Sequence, residues 1–202
     1  MKSIKLIASI ALIASVLVSF TLPTKVESYN VDAEASTLVW TGRKVTGEHT
    51  GTIKIKEGNL DVNGDKLQGG SFVIDMSTIA NDDLEGEYKG KLEGHLKSDD
   101  FFGVANHPTA QFVITKAKAN KDGQYEITGD LTIKNITNEV TFPATVKVNG
   151  GQVTADAKIV VDRSKYDVRY GSGSFFDNLG DKTIYDEFDL EVSLVANTAV
   201  GK

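Results

Sequence analysis

From residue 36 onward the chain keeps one rhythm: apolar and polar residues alternate, a Gly/Asn/Asp turn follows, and alternation resumes. A period of two marks strands with one buried and one solvated face. "STLVWTGRKV" opens the series with Leu38 and Trp40 on one face, and "GTIKIKEG" sets Ile53 and Ile55 against Lys54 and Lys56. "GSFVIDMS" aligns Phe72, Ile74 and Met76, and "QFVITKAKA" aligns Phe112 and Ile114. "QYEITGDLTIKN" aligns Tyr125, Ile127, Leu131 and Ile133, and "EVTFPATVKVN" aligns Val140, Phe142, Ala144, Val146 and Val148. "QVTADAKIVVD" and "EFDLEVSLV" complete the set, with Val153 to Val161 and Phe188 to Leu194 on alternate positions. Hairpin chemistry separates them at "NGDK" (63–66), "KDGQ" (121–124) and "NGGQ" (149–152), because Gly and Asn accept positive φ cheaply. Pro143 falls on the outward set of its strand and has no N–H for a ladder, which predicts an edge or a bulge there.

One segment, "NDDLEGEYKGKLEGHLKSDD", breaks the rhythm. Leu84, Tyr88, Leu92 and Leu96 recur every fourth residue, the stripe of a helix, with Asp82 and Asp83 placed for its N-terminus. Gly86, Gly90 and Gly94 weaken it by roughly 1 kcal/mol each against alanine, so it needs a tertiary surface to lie on. The fold class is therefore all-β, about eight antiparallel strands with one helix across them, as a sandwich or a closed barrel. A closed barrel of this size holds either packed side chains or one slender ligand. Alternation alone leaves both open.

Composition narrows the setting. "MKSIKLIASIALIASVLVSFTLP" has the grammar of a secretory signal, with Lys2 and Lys5 ahead of an apolar run. Cleavage after Val26-Glu27-Ser28 makes residues 1–28 a signal peptide and residues 29–202 one domain. An uncleaved N-terminal anchor is the alternative. The chain has no cysteine, which removes disulfides, thiol nucleophiles, thiolate metal sites and a lipidated N-terminal cysteine together. The net charge of −6 becomes about −8 once the three lysines and one glutamate of residues 1–28 are removed. That excludes the basic surface a nucleic acid partner requires.

An ordered set of landmarks runs along the mature chain: "YNVDAEASTLVWTGRKVTGEHTGTIKIKEGNL", "GGSFVIDMSTI", "LEGHLKSDDFFGVANHPTAQFVITK", "YEITGDLTIKNITNEVTFPATV" and "VDRSKYDVRYGSGSFFDNLGDKTIYDEFDLEVSLVA". Over about residues 29–196 this resembles the YceI-like family, the lipid- or polyisoprenoid-binding, lipocalin-like bacterial proteins. The resemblance implies an extended antiparallel barrel of about eight strands with a helix on it. It further implies a long apolar channel for an isoprenoid or other long-chain amphiphile, and export to the periplasm. No enzymatic activity, cofactor or metal goes with it. The rival readings are an envelope enzyme acting on an amphiphile and a structural or stress protein with a filled barrel. A homodimer through exposed strand edges is also open.

The candidate ligand contacts come from this chain's own residues. Trp40, Phe72, Ile74, Phe112, Ile127, Leu131 and Phe142 belong to the inward sets and are candidates along an apolar channel. Around a mouth stand two matched segments, "SDDFFGV" with Phe101 and Phe102, and "SGSFFDN" with Phe175 and Phe176, which either plug the barrel or gate it. His95, His107, Arg163, Arg169 and Tyr170 are candidates for polar contacts there, a guanidinium being suited to a phosphate head. Against this, the arginines can simply pair with Asp162 and Asp167. The glycine-rich "GSGS" lacks the lysine and the strand–loop–helix context of a phosphate loop, and no G-x-S-x-G elbow is present. The three histidines, His49, His95 and His107, share no metal-ligand spacing.

Overall fold

The computed structural model describes residues 25–198. Most of the expected signal segment therefore lies outside the described residues. Nine strands follow in order: β1 (Val26–Val31), β2 (Thr37–Lys44), β3 (Gly47–Asn63), β4 (Lys66–Asn81), β5 (Thr109–Ala119), β6 (Gln124–Ile133), β7 (Ile136–Asn149), β8 (Gln152–Asp162) and β9 (Ile184–Thr198). One helix, α1 (Gly86–Lys97), joins β4 to β5, and 3-10 turns at Arg163–Tyr166 and Gly180–Lys182 lie between β8 and β9. The expected domain boundary after Ser28 falls inside β1, whose Val26, Glu27 and Ser28 pair with Asn63, Val62 and Asp61.

All neighbouring strands are antiparallel, and the sheet closes on itself. β1 and β2 share one place in the ring, both lying between β3 and β9. The break between them is held by the Asp32 carboxylate, which accepts the N–H groups of Glu34 and Ala35 at 3.1 Å. The result is an eight-strand closed barrel with, among the described residues, a single α-helix, which decides between the sandwich and the barrel. Closure follows from the sequence pattern: each strand is apolar on alternate residues, and only a ring buries all these faces without leaving an edge.

The two ends differ. The turns at 63–66, 119–124 and 149–152 gather at one end, where Gly64, Asp122, Gly123 and Gly150 have positive φ as their residue types suggest. Tyr29, Leu60, Val62, Leu67, Tyr125, Val153 and Ala196 are buried together there. Their polar atoms are satisfied: the Tyr29 hydroxyl donates to the Gly150 carbonyl at 3.2 Å, and the Leu67 N–H donates to the Tyr125 hydroxyl at 3.2 Å. The long connections β4–α1–β5 and β8–β9 gather at the other end with two short turns. One of those, Lys134–Asn135, carries positive φ at both residues (50° and 61°). That pairing of φ values makes a tight hairpin from a dipeptide with no glycine, which the sequence reading counted as the end of the strand beginning at Gln124.

Other details correct the sequence reading. Tyr88 is 73 % exposed, so the helical stripe does not extend to it, although Leu92 and Leu96 pack on the core as expected. Helix α1 starts only at Gly86, and Leu84 precedes it. Asp82 and Asp83 do not cap it; the N-cap is Glu85, with no side-chain bond. Pro143 meets its expectation, since the β7–β8 ladder runs from Asn149–Gln152 only as far as Ala144–Ala157. β4 also runs past the predicted stretch. The Asp75 carboxylate accepts the Ser77 N–H at 3.0 Å and the Asp75 carbonyl accepts the Thr78 hydroxyl at 2.6 Å. This local turn shifts the strand so that Met76 and Ile79, three apart, both face inward, a change of phase that ends the visible alternation.

Candidate functional site

The inward side chains do not fill the barrel. A cavity of about 210 Å³ runs through it, more than ten times the ~10–15 Å³ that one water requires. Its walls are the alternating residues of β2 to β9, with Leu96, Phe101 and Phe102 over one end. Arg163 is its one charged lining residue. Several wall positions are small, notably Ala144, Ala155 and Ala157, and their missing bulk is what leaves the space. A cavity with such walls stays dry unless an apolar guest occupies it.

Trp40, Phe72, Ile74, Phe112, Ile127, Leu131 and Phe142 all line the cavity, as do Phe101, Phe102 and Arg163. Phe112 stands between Phe72 and Phe142, with ring centroids 6.3 and 5.6 Å away. Its ring lies over Gly129, where a Cβ would collide with it. Gly51 plays the same part for Trp40: a Cβ there would meet the Ala80 carbonyl and come within 2.6 Å of the indole. Without that side chain the indole settles against β3, and its N–H donates to the Ala80 carbonyl at 3.1 Å.

The two diphenyl segments part company. Phe101 and Phe102 are buried under the cover formed by α1 and its following turn, edge to face at 5.2 Å. Phe175 and Phe176 are 41 % and 50 % exposed and do not line the cavity. His95, His107, Arg169 and Tyr170 lie outside the lining as well. His95 bridges the two long connections, its ring edge-on to Phe101 at 5.5 Å and to Tyr170 at 4.3 Å. His107 Nδ1 is buried without a partner. Tyr185 is both a lining residue and 49 % exposed, so the cavity comes near the surface at the start of β9.

Arg163 is only 2 % exposed, and its guanidinium is already engaged. Nε donates to the Tyr185 carbonyl at 3.1 Å, Nη1 to the Val168 carbonyl at 2.8 Å and Nη2 to the Ile184 carbonyl at 3.0 Å. Asp186 lies 3.5 Å from Nη2, and the group sits over the Phe101 ring at 5.3 Å. Burial pulls the Arg163 pKa down, and Asp186 and Asp162 oppose that. The expected pairing of the arginines with nearby carboxylates holds for Arg169, whose Nε lies 2.5 Å from Asp167; Arg163 instead contacts Asp186 across to β9. Arg169 also stacks over Phe175 at 4.8 Å.

The glycine–serine loop is a built turn. Gly171 has φ +64°, Ser172 is fully buried, and the Ile184 N–H donates to the Gly171 carbonyl at 2.8 Å. The N–H groups of Ser174, Phe175 and Phe176 all donate to Ser172. Those donors are turned inward on the loop itself, which leaves no cradle for a phosphate.

Asn81 is a functional-looking residue that the sequence reading missed. It is fully buried, donates Nδ2 to the Thr50 carbonyl at 2.9 Å and to Asp83, accepts the Leu84 N–H at 2.9 Å, and donates its own N–H to Glu93 at 2.9 Å. It thereby ties β3, β4 and α1 together under the cover. Its place at the end of a strand before two aspartates resembled an ordinary turn. Beside it, His49 Nδ1 lies 2.8 Å from Asp83. Burial works against the Asp83 charge, but bonds from His49, the Thr50 N–H and Asn81 outweigh it and hold the carboxyl below its usual range.

Comparison with known proteins adds a family and a fold. The pattern described as the YceI-like domain matches residues 29–196. A UPF0312 protein of Pseudomonas putida strain F1 is 33 % identical over 100 residues, covering 50 % of each chain, and a UPF0312 protein of Shewanella denitrificans is 32 % identical over 88 residues, covering 44 % of each. The chain thus spans about half the length of the curated relatives it matches. Among solved structures, Burkholderia cenocepacia BcnA superposes with a TM-score of 0.68 at 25 % identity, over 83 % of this chain and 99 % of that one. A polyisoprenoid binding domain from Saccharophagus degradans, implicated in plant cell wall breakdown, superposes with a TM-score of 0.62 at 13 % identity, over 87 % of this chain and 100 % of that one.

Proposed function

Since the chain belongs to the YceI-like family, we propose that it is a lipid-binding protein of the bacterial envelope that carries or sequesters an isoprenoid or another long-chain amphiphile. The observation that carries this reading is the cavity: apolar walls, a packed floor and a two-part cover. The tail lies along Trp40, Phe72, Ile74, Phe112, Ile127, Leu131 and Phe142, beneath Phe101 and Phe102. The head stays at the covered end, where His95, His107, Arg169 and Tyr170 supply polar groups outside the cavity lining and Phe175 and Phe176 flank the exit; Arg163, whose guanidinium is already engaged, holds that end together instead. Each buried CH₂ contributes about 0.8 kcal/mol, so ten contribute about 8 kcal/mol before the cost of association. Affinity of that kind needs no covalent step and no catalytic group, which supports a binding role. The apolar leader of residues 1–28 and the absence of cysteine fit export to the periplasm. No described helix is long and apolar enough to cross a membrane.

Extraction of the purified protein with organic solvent, followed by mass spectrometry, tests the reading. A stoichiometric long-chain species is the expected result. Trp40 lies in the wall, so titration with a polyprenol should shift its emission. Protein that yields no lipid and leaves its emission unchanged on titration overturns the proposal.

A further inference from the structure

Two hairpin registers meet at Pro143. Across the Lys134–Asn135 turn, Ile133–Ile136 is the first hydrogen-bonded pair of β6–β7, and alternation along the unbroken register makes Glu126–Pro143 a non-bonded pair. The proline nitrogen is therefore turned away from β6 and toward β8. The same count from Asn149–Gln152 makes Thr145–Asp156 a bonded pair of β7–β8, and Pro143–Lys158 the next. That is the rung at which the ladder stops, and Pro143 has no N–H to give there.

Past that rung both strands continue. β7 remains paired with β6 back to Ile136, and β8 remains paired with β9 as far as Asp162. Extending the register would set Phe142 against Ile159, Thr141 against Val160, Val140 against Val161 and Glu139 against Asp162, and none of these pairs forms. The last facing pair is Ala144–Ala157, two of the smallest side chains in the wall, just beyond the last bonded rung, Thr145–Asp156. Val140 and Phe142 on one side, and Ile159 and Val161 on the other, line the cavity directly. Outside, a groove of about 530 Å³ with Thr145, Asp156, Lys158 and Glu191 at its rim shares Ala144, Ala157 and Val192 with the cavity. The far end of the seam is latched by the 3-10 turn: Asn138 Nδ2 donates to the Lys165 carbonyl at 3.1 Å, and Lys134 Nζ to the Asp167 carbonyl at 2.9 Å. The β4–β5 seam also loses pairing below Gly70, but there the Tyr125 hydroxyl fills in for the missing strand at Leu67.

We propose that the β7–β8 seam is a lateral portal, through which the apolar chain of a long-chain amphiphile passes between the cavity and the outside while its polar head travels in the outer groove. The proposal rests on the lipid-binding reading above. Parting β7 from β8 over this stretch breaks no ladder bond, whereas parting any fully paired neighbours breaks one bond for each residue on average. Phe142 and Ile159, which line the cavity along this stretch, then move aside.

Two measurements on the full chain test it. In hydrogen exchange of the lipid-free protein, the amides of Thr141, Glu139, Val160 and Asp162 should exchange at least ~100-fold faster than those of Thr145, Lys147, Thr154 and Asp156. Equal protection of the two sets overturns the portal. The chain has no cysteine, so Thr141→Cys/Val160→Cys can be joined cleanly across the seam with a short bis-maleimide. The joined form should take up a pyrene-labelled long-chain alcohol from phosphatidylcholine vesicles at least ~10-fold more slowly, to an unchanged final level. Lys147→Cys/Thr154→Cys, joined across closed rungs of the same hairpin, should load at the wild-type rate. Loading at one rate by all three forms overturns the portal alone. Failure of the wild type itself to load overturns the lipid-binding reading, and the portal with it.

Discussion

Arg163 shows how far a residue's role depends on partners distant in sequence. In the chain it is one of three cations in "RSKYDVR", and the sequence favours a neighbouring carboxylate as its partner over a lipid head. Its partners are backbone carbonyls of Val168, Ile184 and Tyr185, two of them some twenty residues away, and no local pattern announces them. Removing the guanidinium takes a donor from each of those carbonyls and the counter-charge from Asp186, a loss of about 3–5 kcal/mol for a buried charge network. Arg163→Gln should lower the thermal midpoint by roughly 6–20 °C at this chain length, and Arg163→Lys should recover little because one ammonium cannot reach carbonyls in three directions. Asp83 offers a second test. Its folded carboxyl titrates below the unfolded one, so the folded state holds fewer protons, and its contribution is complete above about pH 4 and lost as the pH falls through the lowered value. Thermal midpoints of wild type and Asp83→Asn should differ at pH 6, and the gap should narrow as the pH falls below about 4. A gap that persists at low pH would show the carboxylate is not the cause.

Most elements were legible in the sequence, and the exceptions have physical reasons. Strands β2 to β9 declared themselves through alternation because each has one face in the barrel and one in water. The Lys134–Asn135 turn did not, since lysine rarely occupies a left-handed conformation; here its amine is held by the Asp167 carbonyl. The helix was visible, but its stripe started two residues too early, because Gly86 at φ +58° turns the chain at the first residue of α1. Gly90 and Gly94 lie on open surface, with no atom within 4 Å of an added Cβ. Gly90→Ala and Gly94→Ala should each stabilise the protein by about 0.5–1 kcal/mol, read as a midpoint raised by a few degrees. If either lowers it, α1 relies on backbone freedom at that turn. Of the candidate site, the wall residues were legible because inward alternation selects them. The cover was not, since the two Phe-Phe segments have the same local pattern and only the packing of α1 buries the first.

At the scale of the molecule, the cavity depends on small wall residues as much as on the fold. Alternation cannot distinguish a full barrel from a hollow one, because both need an apolar inner face; the distinction lies in summed side-chain volume. Ala155 is buried and lines the cavity, so Ala155→Leu should occupy part of the space. Binding of a long-chain alcohol is expected to weaken by at least ~10-fold, while stability changes by no more than about 1–3 kcal/mol in either direction. Undiminished binding would place the tail elsewhere.

Closure of the ring also sets an order of assembly. Every neighbouring pair except those that β9 makes with β1 and β2 joins strands adjacent or next but one along the chain. During synthesis, β2 to β8 can therefore pair as they emerge, but Thr37–Lys44 finds its second neighbour only when residues 184–193 arrive. Until then the chain is an open, curling sheet with two raw edges, the form in which strands recruit other chains. The last strand acts as a clasp, and a chain that loses it to proteolysis becomes a template for aggregation.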